Sequence, residues 1–455
     1  MGTGTSTKRS AADAAPQYPP PPSQRQLLRQ FTPLALSGVF FPLVPPIINA
    51  ALARTAEPAL ALAAVGLARS LSQPLLSPLF SLRQVTTALV RDRGMLSHVR
   101  HSSLALSGLA TGFLLLLCLP PVFEMVVGTG MGIPEDVARV AWPAFLVTAT
   151  TPLLGVGRGY YQGVLVHYGR TGPIGLGALG YLAGATMVIW PCVLLTRVNG
   201  ALLAALALLW GQAVYLAIVW WPARHIIRSR IPERSPRVAE DQRSVRYVIL
   251  FFVPLAVAGV LGAAGEPLMQ ATMARTLSPT ASLAAFPVCT SVLFLAGTPL
   301  WNVQQVVIAH VRDEPSYRIV RRFVIELGLA WTLALGLIGW TPLADWVFGD
   351  LIGVTGEIEA LAIQGFRWLV AAPLLFAGKS LYYGTLISQA ATRHVRAAAV
   401  VRLVALALGL VLGVVWLRQP GLLIAIWAML LSSVAELVSL AWHVRIHWRA
   451  GCQRR

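Results

Sequence analysis

Lys379 lies within an apolar segment, LLFAGKSLYYG at 374–384, and is one of only two lysines in the chain. Together with Gly378 and Ser380 it forms the three letters that close a phosphate-binding loop. That loop begins with a glycine, whose backbone lets N–H groups wrap the phosphate, and it follows a β-strand. Here the first position is Pro373, inside an apolar span, so the sequence excludes a nucleotide-binding loop and Lys379 needs another explanation.

A duplication that runs through the chain supplies that explanation. Residues 31–92 and 252–313 align without a gap at an offset of 221 positions, and 24 of these 62 aligned residues are identical. The register then continues to the end of each half, which chance resemblance between apolar segments does not do. It places Arg158, in LLGVGRGYYQG, opposite Lys379, at the same depth of corresponding helices.

Two cations related by this repeat suggest an anionic ligand. Across an empty cleft they would repel each other, and a bound dianion would stabilise both. We therefore expect Arg158 and Lys379 to contact an anionic substrate. The alternative is that each long side chain extends to the inner headgroups, because only about two helical turns separate it from the cytoplasmic end.

Other polar side chains also lie within apolar spans, where an ionisable group costs about 2.5–3.5 kcal/mol and usually faces a cavity or a partner. Arg69 lies in mid-span, which favours a cavity or a buried pair. Arg83, near the inner end of the same helix, is predicted at the interface, and Arg367 fits either place. Gln84 and Gln305 coincide across the repeat and either line the path of the substrate or bond between helices.

Two carboxylates are candidates for coupling or for ion pairs. Glu266 precedes a proline among small residues, where a raised pKa would suit a proton-coupled step. A buried ion pair with an arginine such as Arg69 is the equal alternative. Glu436, near the middle of the last span, favours a structural hydrogen bond or a pair between helices.

The composition is that of a polytopic membrane protein. Of 455 residues 56% are hydrophobic and 12% charged, and the mean hydropathy is +0.67. Apolar runs of about 20 residues, the length that crosses a bilayer, predict twelve spans near 31–53, 59–82, 103–123, 140–165, 174–196, 200–221, 247–273, 282–308, 322–342, 360–388, 398–417 and 421–442.

The net charge of +18 follows from membrane topology. Most basic residues fall in the tails and the even-numbered loops, which predicts that both termini are cytoplasmic and that the loops contact anionic lipids, and which disfavours nucleic-acid binding. The predicted organisation is a disordered tail at 1–26, a six-helix bundle at 27–222, a basic linker at 223–246, a second bundle at 247–444 and a basic tail at 445–455.

Catalytic and metal-binding motifs are missing from the sequence. The four cysteines and eight histidines show no metal-ligand spacing, and no catalytic serine motif or ATP-binding domain is present. We therefore expect no enzyme activity, no cofactor and no metal. Two parallel repeats of membrane helices are one of the standard plans of transporters. Transport would then be driven by an ion gradient or by the gradient of the substrate.

An ordered series of short matches along the membrane region carries a family resemblance. The matches begin at Phe31 (FTPL), Val65 (VGLA), Ser70 (SL), Gly265 (GE), Ala285 (AFPV), Leu351 (LIGV), Val401 (VRLV) and Val434 (VAE), together with Arg367 and Lys379. In these residues the chain resembles the multidrug/oligosaccharidyl-lipid/polysaccharide (MOP) flippase superfamily, of MATE-like fold, and within it the progressive ankylosis (ANK) family. The Gly-Glu signature of that branch's first helix stands in the seventh here, while the first has Pro45-Pro46, so first-helix roles do not transfer.

The resemblance implies two parallel six-helix bundles around a V-shaped central cavity, and the export of pyrophosphate or of small anions such as citrate and nucleotides. We expect an all-α secondary transporter with twelve transmembrane helices, exporting a small organic anion or phosphate compound. We further expect a monomer in the bacterial plasma (inner) membrane. The alternatives are a lipid-linked saccharide flippase, a multidrug/proton antiporter and a non-transporting membrane scaffold.

Overall fold

The computed structural model describes residues 21–52, 54–55, 57–131, 133–195, 199–235 and 242–452. Most of the predicted N-terminal tail lies outside the described residues. So do Arg197 in a predicted outer loop, residues 236–241 of the predicted linker, and residues 453–455 at the end of the predicted C-terminal tail.

The described backbone is helical, with two short π-helical stretches and one isolated β-bridge. The N-terminal half, here the N lobe, comprises α1 (Gln24–Leu52), α2 (Pro58–Leu79), α3 (Leu82–Leu89), α4 (Arg93–Leu117), α5 (Pro120–Phe123), α6 (Glu135–Thr148), α7 (Thr151–His167), α8 (Gly172–Leu195) and α9 (Gly200–Ser229). The C-terminal half, the C lobe, comprises α10 (Val245–Ala263), α11 (Gly265–Met273), α12 (Pro279–His310), α13 (Glu314–Trp340), α14 (Leu343–Asp345), α15 (Glu357–Leu369), α16 (Ala372–Ser388), α17 (Thr392–Trp416) and α18 (Gly421–Cys452).

Twelve membrane spans result from these helices. Nine stretches of the described chain are long and apolar enough to cross a membrane, and three bent helix pairs add one span each. The bent spans are the second (α2 with α3), the eighth (α12) and the tenth (α15 with α16). The predicted all-α architecture of twelve transmembrane helices is confirmed.

The internal repeat is visible in the ends of the helices. Adding the offset of 221 residues to α7 gives 372–388, which are the bounds of α16. The same offset carries α1 onto 245–273, the combined range of α10 and α11. It also carries 58–89, which spans α2 and α3, onto the range of α12.

Spans 2 and 8, which the repeat relates to each other, are both bent. The bend is 53° in span 2 and 44° in span 8. A break in a membrane helix frees backbone groups and is tolerated where the segment is buried in protein or lines a water-filled cavity. Residues of α3 and of the second part of α12, which follow the bends, line the cavities described below.

The two lobes meet at the end of the molecule whose turns carry Arg91, Arg170 and Arg312, which we call the basic end. Near this end the ring of Phe31 packs edge-on against that of Phe323, at 5.9 Å between centroids. A continuous buried core joins both lobes here, with Leu27, Leu34 and Val85 from the N lobe and Val303, Phe323 and Val395 from the C lobe.

Toward the opposite end the C lobe has a core of its own, which includes Phe286, Phe348 and Phe366. Its members all come from that lobe. The shared core therefore belongs to the basic end, and the lobes have separate interiors beyond it.

Candidate functional site

Arg158 is almost completely buried in the N lobe, with 8% of its surface exposed. Its guanidinium carbon lies 4.8 Å from the ring centre of Phe41 and 5.0 Å from that of Tyr215. Nη1 donates a 2.8 Å hydrogen bond to Oε1 of Gln212, and Nε has no hydrogen-bond partner. Aromatic faces attract a cation but do not neutralise it, so this guanidinium has, among the described residues, none of the ionic partners that usually accompany a buried charge.

A cavity of about 370 Å³ opens beside Arg158. Its lining combines N-lobe side chains with three residues of α12 from the C lobe. The polar lining residues are Ser37, Arg83, Arg158, Gln162, Tyr215, Thr298 and Asn302, and the aromatic ones besides Tyr215 are Phe41, Phe80 and Trp301. Because both lobes contribute, the cavity changes shape whenever the lobes move against each other.

Arg83 is the second cation of this cavity. Its Nη2 donates a 3.2 Å hydrogen bond to Oδ1 of Asn302. The prediction that Arg83 lies at the membrane interface is therefore wrong. Gly163 lets α3, which carries Arg83, approach α7 closely, since a Cβ at that glycine would lie 2.5 Å from Thr86.

Within the described part of the chain, no carboxylate lines the cavity that holds Arg83 and Arg158. Both guanidinium groups have only neutral partners among the described hydrogen bonds, namely the amide oxygens of Gln212 and Asn302. The N lobe thus contains a partly enclosed space lined by two cations, whose lining supplies no counter-charge.

Lys379 has a different environment in the C lobe. Its ammonium lies 2.8 Å from Oε2 of Glu436, which has 2% of its side chain exposed, and this pair joins α16 to α18. The hydroxyl of Tyr383 donates a 2.6 Å hydrogen bond to Oε1, and Nε of Arg402 lies 3.9 Å from Oε2. Glu436 therefore contacts all three of these side chains, which agrees with its interpretation as a link between helices.

Arg158 and Lys379 line separate cavities. Lys379 contributes to one of about 370 Å³ that also contains Glu266, and to one of about 240 Å³ that also contains Gln84. The prediction that one dianion contacts both cations stays a prediction, since the two cations line different cavities that share Trp301. Each side chain bonds to a partner in its own lobe, Arg158 to Gln212 and Lys379 to Glu436. These contacts disfavour the alternative in which the side chains extend to the headgroups.

The repeat relates the two clusters position by position, since the offset of 221 carries Arg158 onto Lys379. It also carries Tyr215 onto Glu436 and Gln162 onto Tyr383. The carboxylate that neutralises the C-lobe cation thus has a tyrosine in its place in the N lobe. The sequence could have revealed this difference, because applying the offset to Glu436 leads directly to Tyr215.

The remaining predicted site residues are distributed as follows. Glu266 is exposed in the larger C-lobe cavity and accepts a 3.3 Å hydrogen bond from Gln270. Among the described ion pairs none joins it to Arg69, which is exposed on α2 in the other lobe and outside the linings of the three cavities. The alternative of a buried ion pair between Glu266 and Arg69 is not formed among the described residues, where both side chains are exposed.

Arg367 and Gln305 do not line the three cavities either. Arg367 donates a 3.0 Å hydrogen bond from Nε to the carbonyl of Gly339 and lies over the ring of Trp340, so its cationic group binds α15 to α13. Gln305 is buried and accepts a 3.0 Å hydrogen bond from the Thr87 hydroxyl. It connects the lobes, as the helix-bonding alternative predicted.

No family model matches this sequence. Its fold, however, is that of solved membrane transporters. An outward-facing multidrug resistance MATE family transporter of the MOP superfamily aligns over 94% of this chain and 96% of its own, with a TM-score of 0.76 and 16% identity.

Two further structures are similar over the same extent of this chain. A MOP superfamily transporter from Pyrococcus furiosus aligns over 94% of this chain and 96% of its own, with a TM-score of 0.74 and 16% identity. A MATE transporter from Vibrio cholerae aligns over 94% and 97%, with a TM-score of 0.74 and 17% identity. The likeness extends over nearly all of this chain and of each neighbour, and it establishes a MATE-like fold.

Proposed function

We propose that this protein is a secondary transporter that exports a small organic anion or phosphate compound by alternating access of its two lobes. The anion binds in the N-lobe cavity, between Arg158 and Arg83. The observation that carries this proposal is the pairing of two guanidinium groups in one cavity whose lining, over the residues that the structure describes, contains no carboxylate.

Electrostatics supports an anionic occupant. A buried cation without a counter-ion costs several kcal/mol, and a ligand that brings negative charge offsets this cost. Guanidinium groups also present planar sets of N–H donors that match the oxygen pairs of carboxylates and phosphates. A cationic drug would instead meet two positive charges, which disfavours the multidrug antiporter among the alternatives.

The repeat provides an internal comparison. In the C lobe the corresponding cation, Lys379, has Glu436 as its counter-ion. In the N lobe the corresponding carboxylate is absent, because Tyr215 occupies its place. We infer that the transported anion supplies, for part of each cycle, the negative charge that Glu436 supplies permanently in the other lobe.

The fold supports transport between two lobes. MATE-like folds place parallel repeats around a central cavity, and such repeats rock against each other around a fixed site. The lobes here share a core at the basic end, which the positive-inside rule assigns to the cytoplasm, so this conformation is outward-facing under that assignment.

The Pyrococcus furiosus neighbour is described by a binding pocket of reversed polarity that suggests a different function, so pocket charge differs within this fold. The anionic substrate also accords with the resemblance to the ANK family.

Binding and flux measurements test this proposal. We expect purified protein to bind phenyl phosphate or succinate, and proteoliposomes to transport the anion that binds. Arg158→Gln should reduce binding at least tenfold, since an ionic hydrogen-bonded contact contributes about 1.5–3 kcal/mol.

Arg54→Gln is the matched control, because it removes an arginine that lies over Trp190 and outside the cavity lining. It should leave binding unchanged. Equal binding by Arg158→Gln and the unmodified protein would overturn the anion site, and a protein that binds anions without any flux would favour the scaffold alternative.

A further inference from the structure

Two aromatic side chains in the N-lobe cavity are more exposed than its cations. Phe80 is 54% exposed and Trp301 is 43% exposed, and both line the cavity that holds Arg83 and Arg158. Exposed rings in a membrane protein ordinarily face lipid or the interface. These two line the cavity of Arg83 and Arg158, where a bound molecule could cover them.

The repeat relates the two rings to each other, since the offset of 221 carries Phe80 onto Trp301. Phe80 lies in the turn between α2 and α3, and Trp301 lies four residues beyond the start of the second part of α12. One aromatic ring from each lobe thus lies within two helical turns beyond the bend of its span. Both rings border the same space, so a molecule in the cavity would lie between the lobes and against both.

Trp301 is held in place by other rings. Its centroid lies 5.6 Å from that of Phe294 and 5.7 Å from that of Phe376. Trp301 also lines both C-lobe cavities, so it stands where the three cavities meet. A rigid aromatic side chain at such a point offers a large contact area at little cost in conformational entropy.

We propose that Phe80 and Trp301 form an aromatic clamp, and that the transported anion therefore carries an aromatic or heteroaromatic ring. This inference rests on the proposed anion site and names its substrate class. The negative group binds at Arg158 and Arg83, while the ring stacks on Trp301 and packs against Phe80. A ligand of this shape uses both features of the lining, the cations and the exposed rings.

The test compares two ligands that have the same charge and similar size. Phenyl phosphate and cyclohexyl phosphate differ in whether the ring is flat and aromatic. Isothermal titration of the full chain in detergent should show phenyl phosphate binding about threefold to tenfold more tightly, the range expected for stacking beyond simple burial. Trp301→Leu should abolish this preference, and Trp301→Phe should keep most of it.

A control variant and a reference variant distinguish a failure of the aromatic clamp from a failure of the anion site. Trp416→Leu removes an exposed tryptophan that lies outside the three cavity linings, and it should keep the preference. Arg158→Gln should weaken both ligands alike. Equal affinities for the two phosphates in the unmodified protein, or an undiminished preference in Trp301→Leu, would overturn the clamp while leaving the anion site in place. Unweakened binding of both ligands by Arg158→Gln would overturn the anion site itself.

Discussion

The guanidinium of Arg83 donates a 3.2 Å hydrogen bond to Oδ1 of Asn302 and so joins the two lobes beside the cavity that contains Arg158. One turn farther along each helix, Thr87 bonds to Gln305 across the same boundary. An anion that enters the cavity competes with Asn302 for Arg83. Ligand binding would then weaken the contact that keeps the lobes together at the basic end, which couples occupancy to the change of conformation.

We predict that Asn302→Ala shifts the lobes toward opening at the basic end. A hydrogen bond to a charged group contributes about 1.5–3 kcal/mol, so the open fraction should rise roughly tenfold or more. Spin labels at Arg100 on α4 and Arg318 on α13, both exposed, would report the lobe separation by double electron–electron resonance. Asn302→Asp should have the opposite effect, because it converts the hydrogen bond into an ion pair. Identical distance distributions in both variants would contradict a latch at this position.

Tyr215→Glu should convert the N-lobe site into a copy of its C-lobe counterpart. The new carboxylate would lie beside Arg158, as Glu436 lies beside Lys379, and would take the place of the ligand's negative charge. Anion binding should fall at least tenfold while the protein stays folded, because the introduced charge has a partner. Tyr215→Phe is the control. It keeps the ring against Arg158, and its affinity for the anion should lie within about threefold of that of the unmodified protein. A similar loss of affinity in both variants would show that packing, and not charge, is responsible.

Glu436→Gln should destabilise the C lobe. It leaves Lys379 and Arg402 without their counter-ion, and breaking a buried pair in this way costs about 3–5 kcal/mol. The apparent melting temperature in detergent should fall markedly. A double variant with Lys379→Met should recover part of the loss, since it removes one of the uncompensated charges. If the double variant has a lower melting temperature than Glu436→Gln, uncompensated positive charge is not the cause of the lost stability.

The sequence predicted the architecture more fully than the site. The register of the repeat placed Lys379 opposite Arg158, and the structure shows corresponding helices with the same bounds, because one packing solution is used twice. What the sequence could not show was the direction of each side chain around a bent helix. Arg83 lies near a helix end in the sequence, yet its side chain bonds to Asn302 of the other lobe, and Arg69 on the same span is exposed.

A final relationship concerns two aspartates that the repeat aligns. Asp92 and Asp313 each accept a backbone hydrogen bond at the start of a helix, from Met95 at 2.7 Å and from Ser316 at 2.9 Å. Asp92 is in addition buried and lies 3.2 Å from Nη2 of Arg243, in the segment that connects the lobes. Asp92→Asn should therefore lower the melting temperature much more than Asp313→Asn, because asparagine also caps a helix but forms no ion pair.

The pH dependence of Asp313 gives this comparison a second readout. Hydrogen bonds from Ser316 hold the pKa of the Asp313 carboxyl below its ordinary value. A depressed pKa stabilises the fold above the unfolded value of about 4, and this contribution is lost as the pH falls through the folded value. Thermal melts between neutral and acidic pH should therefore show a smaller acid-induced decrease for Asp313→Asn than for the unmodified protein. If the melting temperatures of the two proteins decrease in parallel, the capping carboxylate contributes nothing to acid sensitivity. If Asp92→Asn and Asp313→Asn have equal melting temperatures at neutral pH, Arg243 does not anchor the connecting segment.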